Sequence, residues 1–168
     1  TMETSSGHVN IYPNEQDAYI EGLGIKEQKL EGFDEVAAYS PRITTGGALS
    51  YEEKSKSIRI IALYPSKENR VTDLLNKIDS GETLGANDFN GMLISYRLAD
   101  ELDIKPGDEA TIVFDKGITR VFKIMGILHT GMAMDANTVI INFQEAAEQL
   151  DIHDKASVIL VKLYDEAL

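Results

Sequence analysis

His129, Thr130, Gly131, Met132, Ala133, Met134 and Asp135 bring an imidazole, two thioethers and a carboxylate into one short stretch of chain. Three kinds of chemistry suit such a set. Thioethers and imidazole are ligands for a soft ion such as Cu(I), imidazole beside carboxylate is the beginning of an acid–base centre, and the same residues also make a loop between two strands. A soft-metal site needs three or four matched ligands. The other histidines, His8 and His153, stand in distant segments, the chain has no cysteine, and Met2, Met92 and Met125 read as a chain end and core fillers. A nucleophilic centre needs Ser, Thr or Cys beside an oriented base, and no G-x-S-x-G or S-x-x-K context occurs. The pairs Glu52-Glu53, Asp100-Glu101 and Asp108-Glu109 read as solvated acidic surface, and neither Gly22-Leu23-Gly24 nor Gly46-Gly47 leads into a phosphate-binding helix. The loop reading gives Asp135 a local task. Placed before Ala136-Asn137, it closes an Asx-type turn by accepting backbone N–H bonds as the chain re-enters a sheet, with Gly131 as the flexible point.

The elements that must hold this loop follow from hydrophobic periodicity. On either side of it, TRVFKIMGIL (119–128) and TVIINF (138–143) read as strands. Upstream come GMLIS (91–95) as a strand, 96–102 as a helix capped by Ser95, a tight turn at Lys105-Pro106-Gly107-Asp108, EATIVF (109–114) as a strand and a hairpin turn at Asp115-Lys116-Gly117. Downstream, 144–150 reads as a short helix and ASVILVKLY (156–164) as a last strand. In the first half, HVNIY (8–12) is a strand ended by Pro13, and the polar stretch 14–32 holds at most a helical turn at 26–30. VAAYSPRI (36–43) is a strand whose Pro41 favours an edge or a bulge, Thr45-Gly46-Gly47 is a turn, and 57–64 is the most buried strand of this half. After Pro65-Ser66, Val71, Leu74, Leu75 and Ile78 have the spacing of one helical face, which predicts a helix from there, stopped by Gly81. The sum is eight or nine strands with three short helices and no regular βαβ alternation. The fold class expected is α+β with mixed sheets, and a change of style near residue 88 points to two lobes.

Composition narrows the function further. The 168 residues are 43% hydrophobic, enough to fill a core, and the apolar runs are far shorter than the ~20 residues that cross a bilayer. The chain is therefore expected to be soluble as given, with the polar run 1–7 burying nothing and both ends reading as cuts or linkers. With 28 acidic against 16 basic residues and a net charge of −12, it would repel a phosphate backbone, so no nucleic-acid partner is expected. No cofactor site and no catalytic site are expected either.

One resemblance covers nearly the whole chain. Gly91 to Ser95, Leu98 to Asp108, Phe122 to Ile127, Thr130 to Asp135 and Val139 to Leu150 follow one another as in the extracytoplasmic core domain of MacB-like and FtsX-like (also LolC/LolE-like) ABC transporter permeases. The matching elements are a G-x-x-(I/V)-(I/V)-S strand, an LA-x-x-L-x-IK-x-GD helix, a strand ending F-(K/R)-(I/V)-x-G-I, a TGM-x-x-x-D loop and a closing strand-helix. Gly7 to Ile11 resembles the family's G-H-(I/V) entry, PRI at 41–43 and IRIIALYP at 58–65 fit its next strands, and 14–32 matches poorly. The resemblance implies a non-catalytic domain outside the membrane, between the first two membrane helices of a dimeric permease served by an ABC ATPase. Its partners would be that ATPase through the full permease, a second permease copy, and an exported substrate or extracytoplasmic protein. It also implies a β-α-β porter-like lobe from 1–88 and 145–168, with 89–144 as an inserted smaller β-rich lobe. His129, Met132, Met134 and Asp135 become a candidate contact loop on that lobe. Two adjacent membrane helices would require Val9 and Tyr164 to lie within about 25 Å, with Met132 to Asp135 toward the far end. The rival reading is a free-standing secreted ligand- or metal-binding module, and flanking apolar segments, present or absent, distinguish the two.

Overall fold

The computed structural model of the chain describes residues 2–5 and 7–164. In chain order the strands and helices are β1 (Met2–Ser5), β2 (His8–Ile11), β3 (Ile20–Glu21), α1 (Leu23–Glu31), β4 (Val36–Tyr51), β5 (Lys54–Leu63), α2 (Pro65–Val71) and β6 (Ile78–Gly81). They continue as β7 (Gly91–Ser95), α3 (Tyr96–Leu102), β8 (Glu109–Val113), β9 (Thr119–Leu128), β10 (Thr138–Asn142), α4 (Phe143–Leu150), β11 (Lys155–Ala156) and β12 (Val158–Leu163). The class is α+β with mixed sheets, as expected.

Six strands close on themselves. β4 pairs with β5, β5 with β10, β10 with β7, β7 with β9, β9 with β8, and β8 returns to the far half of β4 at Ala48–Ser50. The β5–β10 and β7–β9 pairs are parallel and the rest antiparallel. Ile58, Ile60, Met92, Ile94, Ile112, Phe122, Ile124, Val139 and Ile141 belong to one buried cluster. The alternate residues Ile61, Leu63, Leu93 and Ile140 join Leu74, Leu75 and Leu84 in a second. Strands buried on both faces read as apolar runs, which is why 60–63, 91–95 and 138–142 were legible in the sequence. Gly47 lets the ring close tightly, because a Cβ there would stand 2.7 Å from the Val113 carbonyl oxygen.

The near half of β4 belongs to a different group of strands. There β12 replaces β8 as its neighbour, β2 pairs with β12, and β1 pairs with β2. β4 is thus the one strand shared by the ring and by the sheet that carries both ends of the described chain.

Several expectations need correction. Thr45-Gly46-Gly47 is not a turn: β4 runs straight through it, and the reversal comes at Glu52-Glu53, with Glu52 at φ 54°. The edge expected at Pro41 is met locally: at its level β4 pairs with β12 on one side only. Ser157 N–H donates to the Arg42 carbonyl, so Arg42 presents its polar groups to β12 and Pro41 faces the other side. On that side β5 ends at Leu63, opposite Arg42, and α2 takes over, so the missing N–H breaks no ladder bond. The helix expected between Pro65-Ser66 and Gly81 forms only in its first part, Pro65–Val71. Thr72 is extended at φ −131°, its hydroxyl donates to Glu68 and accepts the Leu74 N–H, and Leu74 and Leu75 are buried from a short 3-10 turn instead. In the stretch 14–32 the chain forms all of α1, whose first turn is held by Asp154: its carbonyl accepts Leu23 N–H and its carboxylate accepts Gly24 N–H. Within the run 1–7, Met2–Ser5 form a strand with register Met2↔Ile11, so it is not simply flexible. Thr1, Ser6 and 165–168, on which the reading of the ends as linkers also rests, lie outside the described residues.

Candidate functional site

The loop between β9 and β10 is held together by Asp135. This carboxylate is 3% exposed and accepts the Thr130 N–H at 2.9 Å, the Thr130 hydroxyl at 2.8 Å and the Gly131 N–H at 2.7 Å. The bonds run backward to the loop's first residues, not forward to Ala136-Asn137 as an Asx turn at that point would have them. Thr130 Oγ1 in turn accepts the Met132 N–H, and Asp135 N–H closes a 3-10 turn onto the Met132 carbonyl. Burial alone would push the Asp135 carboxyl up, but the Thr130 and Gly131 bonds, with the nearby His129, hold it below the usual carboxylate range.

The other loop side chains diverge. His129 stacks on Tyr96 with ring centres 3.9 Å apart, while its backbone N–H donates to the Lys77 carbonyl. Arg97 covers the same tyrosine, its Nε donating to the Tyr96 hydroxyl at 3.1 Å, so imidazole, phenol and guanidinium form one surface cluster. Met134 packs partly buried against the second core cluster, whereas Met132 is 56% exposed. Imidazole and thioethers therefore meet different surroundings, and among the described residues no three His, Cys, Asp or Glu side chains gather as a metal site would require. Sequence reasoning missed Tyr96, Arg97 and Thr130. Thr130 was within reach, since a Thr at the mouth of an Asp-containing loop is a common local partner. Tyr96 and Arg97 were assigned only to a helix, and their meeting with His129 depends on the parallel pairing of β7 and β9. Ser95, expected as the cap of that helix, stands at the N-cap but caps nothing; its hydroxyl instead accepts the Thr138 N–H at 3.2 Å.

The carboxylate pairs have no shared pocket. Glu52, Glu53, Asp100, Glu101 and Glu109 are exposed, Glu101 meets Lys56 at 3.1 Å, and Asp108 closes its turn by accepting the Lys105 N–H. Two other buried carboxylates each face an arginine. Glu68 lies between β4 and α2, taking bonds from Arg42, Ser40 and Thr72. Glu145 on α4 lies 2.9 Å from Arg120 Nε, an ion pair in which neither of those two atoms gains a hydrogen bond.

The register places the loop relative to the chain ends. Lys162 is opposite His8, and Leu163 N–H donates to the Gly7 carbonyl at 2.7 Å. Val9 is opposite Val161, so Val9 and Tyr164 fall within about 15 Å, inside the expected limit. β1 then doubles back along β2, so its far end Met2 lies beside Ile11 rather than beside Leu163. The loop's exit, Thr138, is opposite Arg59, which is opposite Gly46 on β4, whereas Leu163 is opposite Val36. Ten residues of β4, from Val36 to Gly46, separate the two levels, roughly 30 Å along the strand.

Several solved structures share this fold. The extracellular domain of the noncanonic ABC-type transporter YknZ from Gram-positive bacteria matches with a TM-score of 0.71 at 18% identity, over 94% of this chain and 83% of that one. The periplasmic region of MacB from Actinobacillus actinomycetemcomitans matches with a TM-score of 0.71 at 14% identity, over 96% and 76%. A domain of a putative permease protein from Porphyromonas gingivalis matches with a TM-score of 0.59 at 18% identity, over 89% and 70%. No curated protein sequence matches the chain significantly. The MacB-like periplasmic core domain model, however, matches residues 1–168, and the chain belongs to that family.

Proposed function

We propose that this chain is the extracytoplasmic domain of an ABC transporter permease, a non-catalytic part that contacts an exported substrate or an extracytoplasmic partner. It would follow the motion of the membrane helices as an ABC ATPase hydrolyses ATP on the other side, with a second permease copy beside it. The observation that carries this reading is that three neighbouring strands hold both ends of the described chain: β1, which begins at Met2, pairs with β2, and β2 pairs with β12, which ends at Leu163. Two ends held on one narrow sheet suit a domain standing between two neighbouring membrane helices. The loop of His129, Met132, Met134 and Asp135 would then stand away from the membrane as a contact surface, its apolar tip Met132 adaptable in shape.

In this mechanism β4 is the relay. Movement of β2 and β12 reaches its near half through their ladders and passes along one continuous strand to the ring that carries the loop. The lobes assigned to 1–88 with 145–168 and to 89–144 would pivot on that strand, because β4 and β5 of the first complete the ring of the second. The test is a cysteine at Met132 in the full-length permease in intact cells, treated with a membrane-impermeant maleimide. Labelling from outside, with a rate that changes when the ATPase is trapped, is the expected result; labelling only after the membrane is opened would overturn the placement.

A further inference from the structure

The outer face of β2 and β12 forms one wall of a groove of about 560 Å³, and the end of α2 with the segment after it forms the other. Register puts His8 opposite Lys162 and Asn10 opposite Leu160, so these four side chains share a face, while Val9, Ile159 and Val161 turn into the core. Across from them stand Asn69, Arg70, Asp73 and Asn76. His8 is fixed by donating from Nε2 to the Val71 carbonyl at 3.2 Å, which ties the two walls together.

The charge of this groove runs against that of the molecule. The chain carries −12 overall, yet the groove presents Arg70 and Lys162, with His8 between the walls, against the single carboxylate of Asp73. Among the described residues neither Arg70 nor Lys162 has a carboxylate within ion-pair distance. A guanidinium, an ammonium and neighbouring amides that line one groove are donors for an anionic oxygen group. The carboxylate on the rim disfavours a second negative charge, so a singly charged phosphodiester fits better than a phosphate dianion. The place also matters: His8 and Lys162 lie at the end of the sheet where the chain leaves β12. Resting on the permease reading, which puts that exit at the bilayer surface, we infer that the groove binds the phosphodiester of an anionic phospholipid headgroup and so sets the tilt of the domain on the membrane. A cation near an anionic leaflet contributes ~1 kcal/mol, enough to bias an orientation without locking it.

The test is an amide NMR titration of this chain with dihexanoyl-phosphatidylglycerol, dihexanoyl-phosphatidylcholine and inorganic phosphate. Expected are saturable shifts at His8, Arg70, Thr72 and Lys162 with phosphatidylglycerol, and none there with phosphatidylcholine. Affinity should fall about fivefold in Arg70→Gln and in Lys162→Gln, and stay unchanged in Arg59→Gln, with the dispersion of each spectrum confirming the fold. Equal response to phosphatidylcholine, shifts elsewhere, no saturation, or inorganic phosphate binding as well as phosphatidylglycerol would each overturn the assignment. Failure here with Met132→Cys still labelled from outside removes the groove and leaves the permease placement standing. Binding here with labelling only after permeabilisation does the reverse.

Discussion

Glu68 and Glu145 are both buried carboxylates set against an arginine, and the protein treats them in opposite ways. Glu68 is wholly buried and fully bonded: Arg42 reaches it at 2.5 Å and 3.1 Å, Ser40 at 2.7 Å and Thr72 at 2.6 Å. Burial by itself would push its carboxyl up, but the Arg42 bonds and charge and the two hydroxyls hold it below the usual range. Glu145 has only the misdirected guanidinium of Arg120, whose other nitrogen is given to Asn90. There burial dominates and pushes the carboxyl up, with Glu148 adding to the rise and Arg120 opposing it. The lesson is that an ion pair's worth lies in the bonds that complete it. Glu68 sits where β4 passes from its pairing with β12 to its pairing with β5, the one place in this fold where two strand systems must stay in register.

Removing Glu68 should break that contrast most severely. Glu68→Ala leaves Arg42, Ser40 and Thr72 without their common acceptor and should cost about 3–5 kcal/mol, read from the shift of the urea midpoint. Acid offers a second probe. A carboxylate held low in the folded state contributes stability that is present above its unfolded pKa and is lost as pH falls through the folded one. Glu68 and Asp135 therefore predict a falling urea midpoint below about pH 4.5, and a Glu68→Gln deficit that shrinks there relative to neutral pH. A deficit that is constant with pH would show that the side chain acts through packing alone.

Asp135→Asn is the next smaller change. It replaces one of the two acceptor oxygens with an N–H₂ that must face either the Thr130 donors or the Gly131 N–H and should cost about 1–3 kcal/mol, with faster hydrogen exchange at the amide that loses its acceptor. Glu145→Gln should fall within about 1 kcal/mol at neutral pH, because the charge it removes is poorly bonded. Its sign with pH is reversed. A carboxyl raised on folding contributes stability that is present below its unfolded pKa and lost as pH rises through the folded one, so Glu145→Gln should compare best with the parent above neutrality and worst near pH 4. A loss as large as that of Glu68→Ala would erase the distinction between the two pairs.

Much of the architecture could be read from the sequence where strands are buried on both faces. GMLIS, VII in TVIINF and IIAL at 60–63 have no polar residue to confuse the pattern until their ends. What failed was local punctuation overruled by distant partners. Gly46-Gly47 has the composition of a turn, but its lack of side chains serves the close approach of Val113. Leu74 and Leu75 have helical spacing, but the Thr72 hydroxyl and the second core cluster hold them in a different shape. α1 has only Leu23 and Leu30 as buried anchors, and its N-terminal partner Asp154 lies far away in sequence. At the candidate loop, Asp135 was recognised as the organiser while the direction of its bonds was not, since Asx geometry works toward either side of a residue. The cluster of His129 with Tyr96 and Arg97 needed the strand register, which no single segment encodes.

The sheet that carries both ends of the described chain has a mechanical meaning. The chain enters at Met2, beside Ile11, and β12 leaves at Leu163, beside Gly7, so the two ends stand at opposite ends of the β1-β2-β12 ladder. Drawing them apart along the strands loads the rungs together, a shear geometry that resists far more force than peeling them one at a time. A pull on either end therefore reaches β4 through an intact sheet, and the fold conveys such a pull instead of opening at its base.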